Sequence, residues 1–190
     1  MSLDDELSDL LVISLEQAVA APYCGLLLAS AGARVIKIER PEGDFARSYD
    51  SGVNGDSAIF AWLNRGKESI SLNLKNNDDK NLLNAIYSSS DMFVFPSIQE
   101  AFGKTWAEAM ACGLPVVCFN NTSASDYISH KVNGFVVDDI SSENLKMGIE
   151  WMSKKIDEKK DFYGLSKNQV EMFDPKIIAQ QYIKIYSGLL

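Results

Sequence analysis

Two glutamates that stand eight residues apart, Glu100 and Glu108, are the side chains of this chain best placed to hold a ligand. Glu108 falls inside a predicted helix over Lys104 to Cys112, and Glu100 lies in the loop before it. A carboxylate offers paired acceptor atoms suited to vicinal hydroxyls. At the helix N-terminus the macrodipole favours a phosphate or sugar oxygen, and the backbone N–H groups there come from Phe102, Gly103 and Lys104. The alternative is that both glutamates are solvated and merely complement the helix dipole.

Strands alternate with helices along the whole chain. The predicted strands are Leu10 to Leu15, Arg34 to Glu39, Glu68 to Leu74, Met92 to Phe95, Pro115 to Phe119 and Phe135 to Val137. Parallel neighbours need crossover helices, so we expect an α/β fold. Its predicted form is one open, mostly parallel Rossmann-like or flavodoxin-like sheet of about six strands, with helices on both faces. Ligands of such sheets bind beyond the carboxyl ends of the strands.

Composition excludes several classes of protein. With 46% hydrophobic and 23% charged residues the chain fits a soluble globular protein, and the net charge of −8 opposes binding to nucleic acid or an anionic membrane. The apolar runs are far shorter than the ~20 residues that cross a bilayer. Asp4 and Asp5 give the N-terminus the wrong charge for a signal peptide, so we expect a cytoplasmic protein. Metal-ligand spacing is absent, and we assign no metal, cofactor or catalytic residue.

The N-terminal part resembles a known family. Segments 15–24, 35–44 and 63–72 closely resemble the opening of family III CoA transferases, the group that contains formyl-CoA transferase and 2-methylacyl-CoA racemase. The resemblance covers about residues 10 to 75. It implies a CoA site at the strand ends, and the residues at CoA-contacting positions are Gln17, Ala20, Ala21, Arg40 and Lys67. A cationic Arg40 beside a phosphate also makes physical sense, because charge-assisted hydrogen bonds are the stronger kind.

A structural interpretation of these residues stays open. Ala20 and Ala21 can serve only to let a helix approach a strand, and Lys67 can be a solvated cation at a helix end. Arg40 can pair with Glu39 or Glu42. The CoA-transferase pattern also stops after the fourth strand, since the segment that contacts CoA and the later nucleophilic aspartate of that family have no counterpart here.

The C-terminal part resembles a different family. Segment 90–117, with Glu100 and Glu108, and segment 133–137 are similar to the C-terminal domain of family 4 glycosyltransferases of the GT-B type. This resemblance runs from about residue 80 to residue 190. It implies that Glu108 accepts hydrogen bonds from the nucleotide ribose and that Glu100 binds donor-sugar hydroxyls. The family's diphosphate-binding Arg and Lys come earlier in its domain, where this chain has CoA-transferase-like sequence.

The two resemblances meet near Asn76. We expect a single α/β domain over residues 1–190, built from a CoA-transferase-like part (1–76) and a glycosyltransferase-like part (77–190). Because each part lacks catalytic pieces of its family, we interpret the chain as a non-catalytic recombined scaffold, engineered or natural. Residual nucleotide-sugar binding and residual CoA binding are the alternatives. We also expect the final helix to drive homo-oligomerisation if its apolar stripe stays uncovered; the stripe comprises Ile177, Ile178, Gln181, Ile185 and Leu189.

Overall fold

The computed structural model describes residues 6–158 and 161–188. Asp4, Asp5 and Leu189, which entered the sequence predictions, lie outside these ranges. The chain divides into two compact units: the first ends at Leu83 and the second begins at Asn84. The boundary falls within helix α3 (Asn77–Ser89). The division at Asn76 that the sequence suggests stays a prediction.

The first unit is a three-stranded parallel sheet with two helices. Its elements are β1 (Leu11–Ser14), α1 (Ala20–Ser30), β2 (Arg34–Glu39), α2 (Ala58–Asn64) and β3 (Glu68–Ser71). The strand order is β1-β2-β3, with Val12 opposite Val35 and Ile38 opposite Ile70. Side chains alternate along a strand, so Val35, Lys37 and Glu39 share one face of β2, and all three are buried. One face of this central strand therefore buries charge.

The loop from Arg40 to Gly55 is ordered by carboxylates. Asp44 caps a short 3-10 helix (Phe45–Ser48) by accepting from the Ala46 N–H. Asp50 accepts from the N–H groups of Ala58 and Gly52, which lowers its pKa to about 2. Each acidic side chain thus supplies acceptors to a turn that has few backbone partners of its own.

The second unit is also a three-stranded parallel sheet. Its elements are β4 (Phe93–Phe95), α4 (Lys104–Ala111), β5 (Val116–Phe119), β6 (Gly134–Val137), α5 (Ser142–Asp157), α6 (Tyr163–Val170) and α7 (Pro175–Ser187), with 3-10 turns at Ser123–Asp126 and Glu171–Phe173. The strand order is β4-β5-β6. Val116 and Cys118 pack in a core with Trp106, while Val117 and Phe119 pack in a second core with Met152. Both faces of β5 are covered, which explains its uninterrupted apolar sequence.

The prediction of one six-stranded sheet is wrong, because the strands form two separate sheets of three. In the second sheet β4 pairs with β5, and β5 pairs with β6. The α/β class and the parallel pairing are confirmed. Alternation of apolar residues identifies a strand, but the choice of its neighbours depends on backbone pairing between distant segments.

The C-terminal helix α7 has a capped N-terminus. Asp174 caps it by accepting from the Lys176 N–H, and Pro175 occupies its first turn. None of its described residues is buried, and its exposed apolar residues are Ile177, Tyr182, Ile183, Ile185 and Tyr186. Across the described ranges, no helix combines the length and apolarity needed to cross a bilayer.

Candidate functional site

The N-terminus of α4 is open and shaped by Gly103. This residue precedes α4 with φ of 68° and no side chain caps the helix, so first-turn N–H groups remain available. A Cβ at Gly103 would lie 2.7 Å from Phe95 Cζ and 2.8 Å from Glu100 Cγ, so only glycine fits both the backbone angle and the space. The Glu100 side chain therefore lies against the start of α4. Its carboxylate accepts from the Ala101 N–H at 3.0 Å.

The loop before α4 is held in place by polar side chains that the sequence analysis missed. The Phe102 carbonyl accepts from the Ser123 hydroxyl at 2.6 Å and from the Trp106 indole N–H. The Asn121 side-chain amide donates to the Ile98 carbonyl. The run of Asn, Thr and Ser after β5 was the available signal, since such residues form hydrogen bonds with nearby backbone.

Three of the five predicted nucleotide-sugar residues, Phe102, Lys104 and Glu108, line one cavity of about 980 Å³. Glu100 and Gly103 lie against each other but do not line it. The opposite wall is made by residues from α6 to α7: Lys167, Val170, Glu171, Phe173, Asp174, Pro175, Lys176 and Ile177. Phe102 and Phe173 meet edge to face at 5.3 Å, which joins the two walls through aromatic contact.

Glu108 is an exposed carboxylate at the edge of the cavity, and its surroundings still remove part of its hydration. Burial raises its pKa, and the positive charge of Lys104, one turn earlier on the same helix face, opposes that rise. A carboxylate in this setting lacks full hydration, so hydroxyl donors from a ligand would replace lost water. The arrangement provides an acceptor from Glu108, a cation from Lys104 and free amides at the helix N-terminus.

The predicted CoA residues of the first unit do not share one pocket. Arg40 lines a cavity of about 230 Å³ at the carboxyl ends of β2 and β3, together with Arg47, Ser69 and Ser71. Its Nε donates to the Gly43 carbonyl at 2.8 Å. Gln17, Ala20 and Ala21 are exposed where the chain leaves β1 and enters α1, and they do not line this cavity.

Lys67 is occupied by internal partners. Its buried Nζ donates to Glu16 Oε1 at 2.5 Å, to the Pro22 carbonyl at 2.8 Å and to Asn64 Oδ1 at 3.2 Å. An ammonium has three N–H donors, so these bonds use all of them. In this structure Lys67 joins the end of β1 to α1 and α2.

Two further charged clusters in the first unit escaped the sequence analysis. Lys37 Nζ lies 2.7 Å from Asp44 Oδ2, with both side chains almost fully buried. Arg47 pairs with Glu39 and stacks 3.9 Å from the Phe60 ring centre. Burial alone would raise the pKa of Glu39, but hydrogen bonds from Arg47, the Asp44 N–H and Ser69 outweigh it and lower that pKa. A lysine and a glutamate inside the apolar strand β2 were the available signal.

Comparison with known proteins finds two families. Residues 7–107 match the model of CoA-transferase family III, and residues 67–168 match the model of glycosyl transferases group 1. Each match spans more than half of the chain. The two matches overlap over residues 67–107, a stretch that runs from β3 into α4.

This chain matches only part of the length of its individual relatives. Succinyl-CoA:mesaconate CoA-transferase of Haloarcula marismortui is 37% identical over 134 residues, which are 68% of this chain and 32% of the relative. The chain thus spans about a third of the curated relatives it matches. A CAIB/BAIF family protein from Brucella suis superposes with a TM-score of 0.51 at 26% identity, covering 61% of this chain and 33% of that one.

A glycosyltransferase-like fold is also found. Anabaena HepE, solved in complex with UDP-glucose, superposes with a TM-score of 0.57 and covers 94% of this chain and 48% of its own. The identity is 20%, so this similarity concerns the fold.

Proposed function

Since the chain belongs both to CoA-transferase family III and to glycosyl transferases group 1, we propose that it binds a UDP-sugar at the N-terminus of α4. Anabaena HepE, whose fold this chain shares, was solved with UDP-glucose. The observation that carries the proposal is the uncapped start of α4 behind left-handed Gly103, beside the cavity lined by Phe102, Lys104 and Glu108. A phosphate oxygen suits the free amides and Lys104, and a ribose suits Glu108.

The proposal is for binding and not for sugar transfer. The described part of the site offers the Glu108 carboxylate, one lysine and helix amides, which suffice to hold a nucleotide-sugar. The interpretation as a non-catalytic recombined scaffold stays as the alternative, and it expects neither UDP-sugar nor CoA to bind.

Isothermal titration of the full chain with UDP-glucose and with GDP-sugars tests this proposal. We expect UDP-glucose to bind, and Glu108→Ala to weaken it by about ten-fold or more, because hydrogen bonds to charged groups are worth ~1.5–3 kcal/mol. Glu150→Ala, which removes an exposed glutamate from α5, serves as the control and should bind as the wild type does. Absence of binding by the wild type, or equal affinity of Glu108→Ala, would contradict the proposal.

A second candidate function is CoA binding by the first unit. The observation that favours it is the cavity at the carboxyl ends of β2 and β3, where Arg40 stands beside the hydroxyls of Ser69 and Ser71. Because Lys67 has three internal acceptors, Arg40 is the cation that we assign to a CoA phosphate. Gln17, Ala20 and Ala21 remain predicted contacts.

Thermal unfolding with CoA tests this second function, because a ligand that binds only the folded state raises Tm. We expect a rise with the wild type, a smaller rise with Arg40→Ala and an unchanged rise with Arg65→Ala, which removes another exposed arginine. An equal response of all three proteins would refute the role of Arg40. No response to CoA or to UDP-glucose would support the scaffold interpretation.

We also propose that the protein self-associates through α7. The exposed fractions of its apolar residues are high, with Ile183 at 67% and Tyr186 at 61%. Tyr182 and Tyr186 stack at 6.1 Å and extend the apolar surface along one side of the helix. A second copy of α7 presents the same surface, as an isologous dimer requires.

A further inference from the structure

Asp44 is a buried carboxylate that contacts two separate turns of the first unit. Its Oδ1 accepts from the Ala46 N–H at 2.9 Å, within its own loop after β2, and from the Ala18 N–H at 3.2 Å, in the turn between β1 and α1. Its Oδ2 accepts from Lys37 Nζ at 2.7 Å. Because the side chain is almost fully buried, water does not compete with these bonds. A single side chain thus ties the turn before α1 to the loop after β2.

The backbone of Ala18 depends on such support. Its φ is 67°, in the left-handed region that residues with a Cβ rarely adopt. Strained backbone persists where the surrounding structure fixes it, and it is concentrated at ligand sites. The bond to Asp44 comes from a residue 26 positions away. Two residues before Ala18, the buried Glu16 is fixed in turn by Lys67. Buried charges therefore hold this turn at two points.

The backbone of Asp44 reaches the cavity that Arg40 lines. Arg40 Nε donates to the Gly43 carbonyl at 2.8 Å, and the Asp44 N–H of the same peptide donates to Glu39 Oε2 at 3.0 Å. Gly43 and Glu39 both line that cavity. The peptide between Gly43 and Asp44 is thus bonded at both of its polar groups, and the Asp44 carboxylate anchors it to the turn before α1.

The predicted CoA contacts fall into two groups that do not share a pocket, and Asp44 lies between them. We propose that Asp44 is a positioning residue, which holds the cavity of Arg40 and the turn before α1 in one fixed arrangement for CoA. The inference rests on the proposed CoA binding by the first unit. Asp44 acts through the Ala18 backbone and does not touch the ligand. A turn that is already ordered has less conformational freedom to lose when the ligand binds. The predicted contacts that this turn carries are Gln17, Ala20 and Ala21.

Two double variants that share Lys37→Met test the inference. The shared change removes the buried cation that would otherwise lose its partner. Asp44→Asn in this background keeps an acceptor for the Ala18 N–H, whereas Asp44→Ala removes it. By isothermal titration with the full chain, we expect CoA affinity close to that of the wild type with Asp44→Asn. We expect affinity about ten-fold weaker with Asp44→Ala, because the ligand must then order the turn. Equal CoA affinity of the two double variants would overturn the inference.

Ala18→Gly separates positioning from a purely structural role. Glycine adopts a positive φ without steric cost, so it needs the Asp44 acceptor less than alanine does. Added to Lys37→Met with Asp44→Ala, it should recover about three-fold of the lost CoA affinity. A role of Asp44 in stability alone predicts no recovery of affinity, and that result would contradict the proposal.

A measurement without ligand distinguishes this inference from the proposed CoA binding. The three-bond NMR coupling between the amide proton and the Hα of Ala18 reports its φ. We expect a left-handed φ in the wild type and in Lys37→Met with Asp44→Asn, and its loss in Lys37→Met with Asp44→Ala. A negative φ in the wild type, or a left-handed φ in all three proteins, would overturn the inference even if CoA binds. The expected couplings without any CoA binding would support the hold on Ala18 and reject the proposed CoA function.

Discussion

At the scale of single residues, Glu108 shows a conflict between stability and binding. Burial raises its pKa, which means that the folded protein disfavours the charged carboxylate that a ribose requires. The resulting loss of folding stability is absent below the ordinary carboxylate pKa of ~4.3, because Glu108 is then protonated in both the folded and the unfolded state. Stability is lost as the pH rises through the folded pKa.

This sign yields a prediction for Glu108→Gln. The variant should unfold at a higher temperature than the wild type near neutral pH, and the difference should disappear toward pH ~4. At neutral pH the Glu108→Gln variant should bind UDP-glucose more weakly than the wild type does. Thermal unfolding across pH, monitored by circular dichroism, measures the effect, and Glu150→Gln on the exposed face of α5 is the control. A constant difference at every pH would contradict the role of ionisation.

The sequence predicted the placement of residues whose partners lie nearby in the sequence better than that of residues with distant partners. Glu100, Gly103 and Glu108 stand within one loop and helix, so local spacing placed them at the start of α4. The family resemblance implied that Lys67 contacts CoA. Local spacing could not reveal its internal partner Glu16, which lies 51 positions earlier in the sequence.

At the scale of elements, buried ion pairs hold the first unit together. Lys67 links the β1 end, α1 and α2, and its pair with Glu16 is nearly excluded from water. Glu16 also lies 4.0 Å from Lys37, which pairs with Asp44. Removing one member of a buried pair leaves the other charge without compensation, which is more costly than removing both.

Lys67→Met is therefore expected to destabilise the protein by about 3–5 kcal/mol, the usual cost of an orphaned buried charge. The double variant Glu16→Gln with Lys67→Met should recover part of that loss. Urea unfolding followed by circular dichroism gives both values. Arg34→Met, which breaks the exposed pair with Glu68, should have little effect. Additive losses in the double variant would argue against a coupled pair.

The sequence largely predicted where the strands lie, but it did not predict that they divide into two sheets of three. β2 matches its predicted bounds, and β5 differs only by Pro115. Both are central strands with mostly buried residues, whereas three of the four residues of β3 are exposed, as suits an edge. Two buried central strands with half-exposed neighbours fit two small sheets, but hydrophobic alternation alone assigns the same strands to one large sheet.

At the scale of the whole molecule, the exposed apolar residues of α7 lead us to expect that copies of the protein associate with one another. The described part of α7 has no buried residue, and exposed apolar patches of this kind mark interaction sites. We expect the wild type to show concentration-dependent dimers in sedimentation velocity, and Ile183→Glu with Tyr186→Glu to be monomeric. Met147→Glu, a similar change at an exposed residue of α5, should leave association intact. Monomeric wild type at high concentration would refute the proposal.

The buried charges of the first unit also restrict how such a sequence can change over time. Glu16, Lys37, Asp44 and Lys67 are joined by ion pairs, so a change at one of them alone is expected to destabilise the fold. They should therefore be replaced as a set or kept as a set. That makes these positions a charge signature by which related first units can be recognised, even where every ligand-contacting residue has diverged.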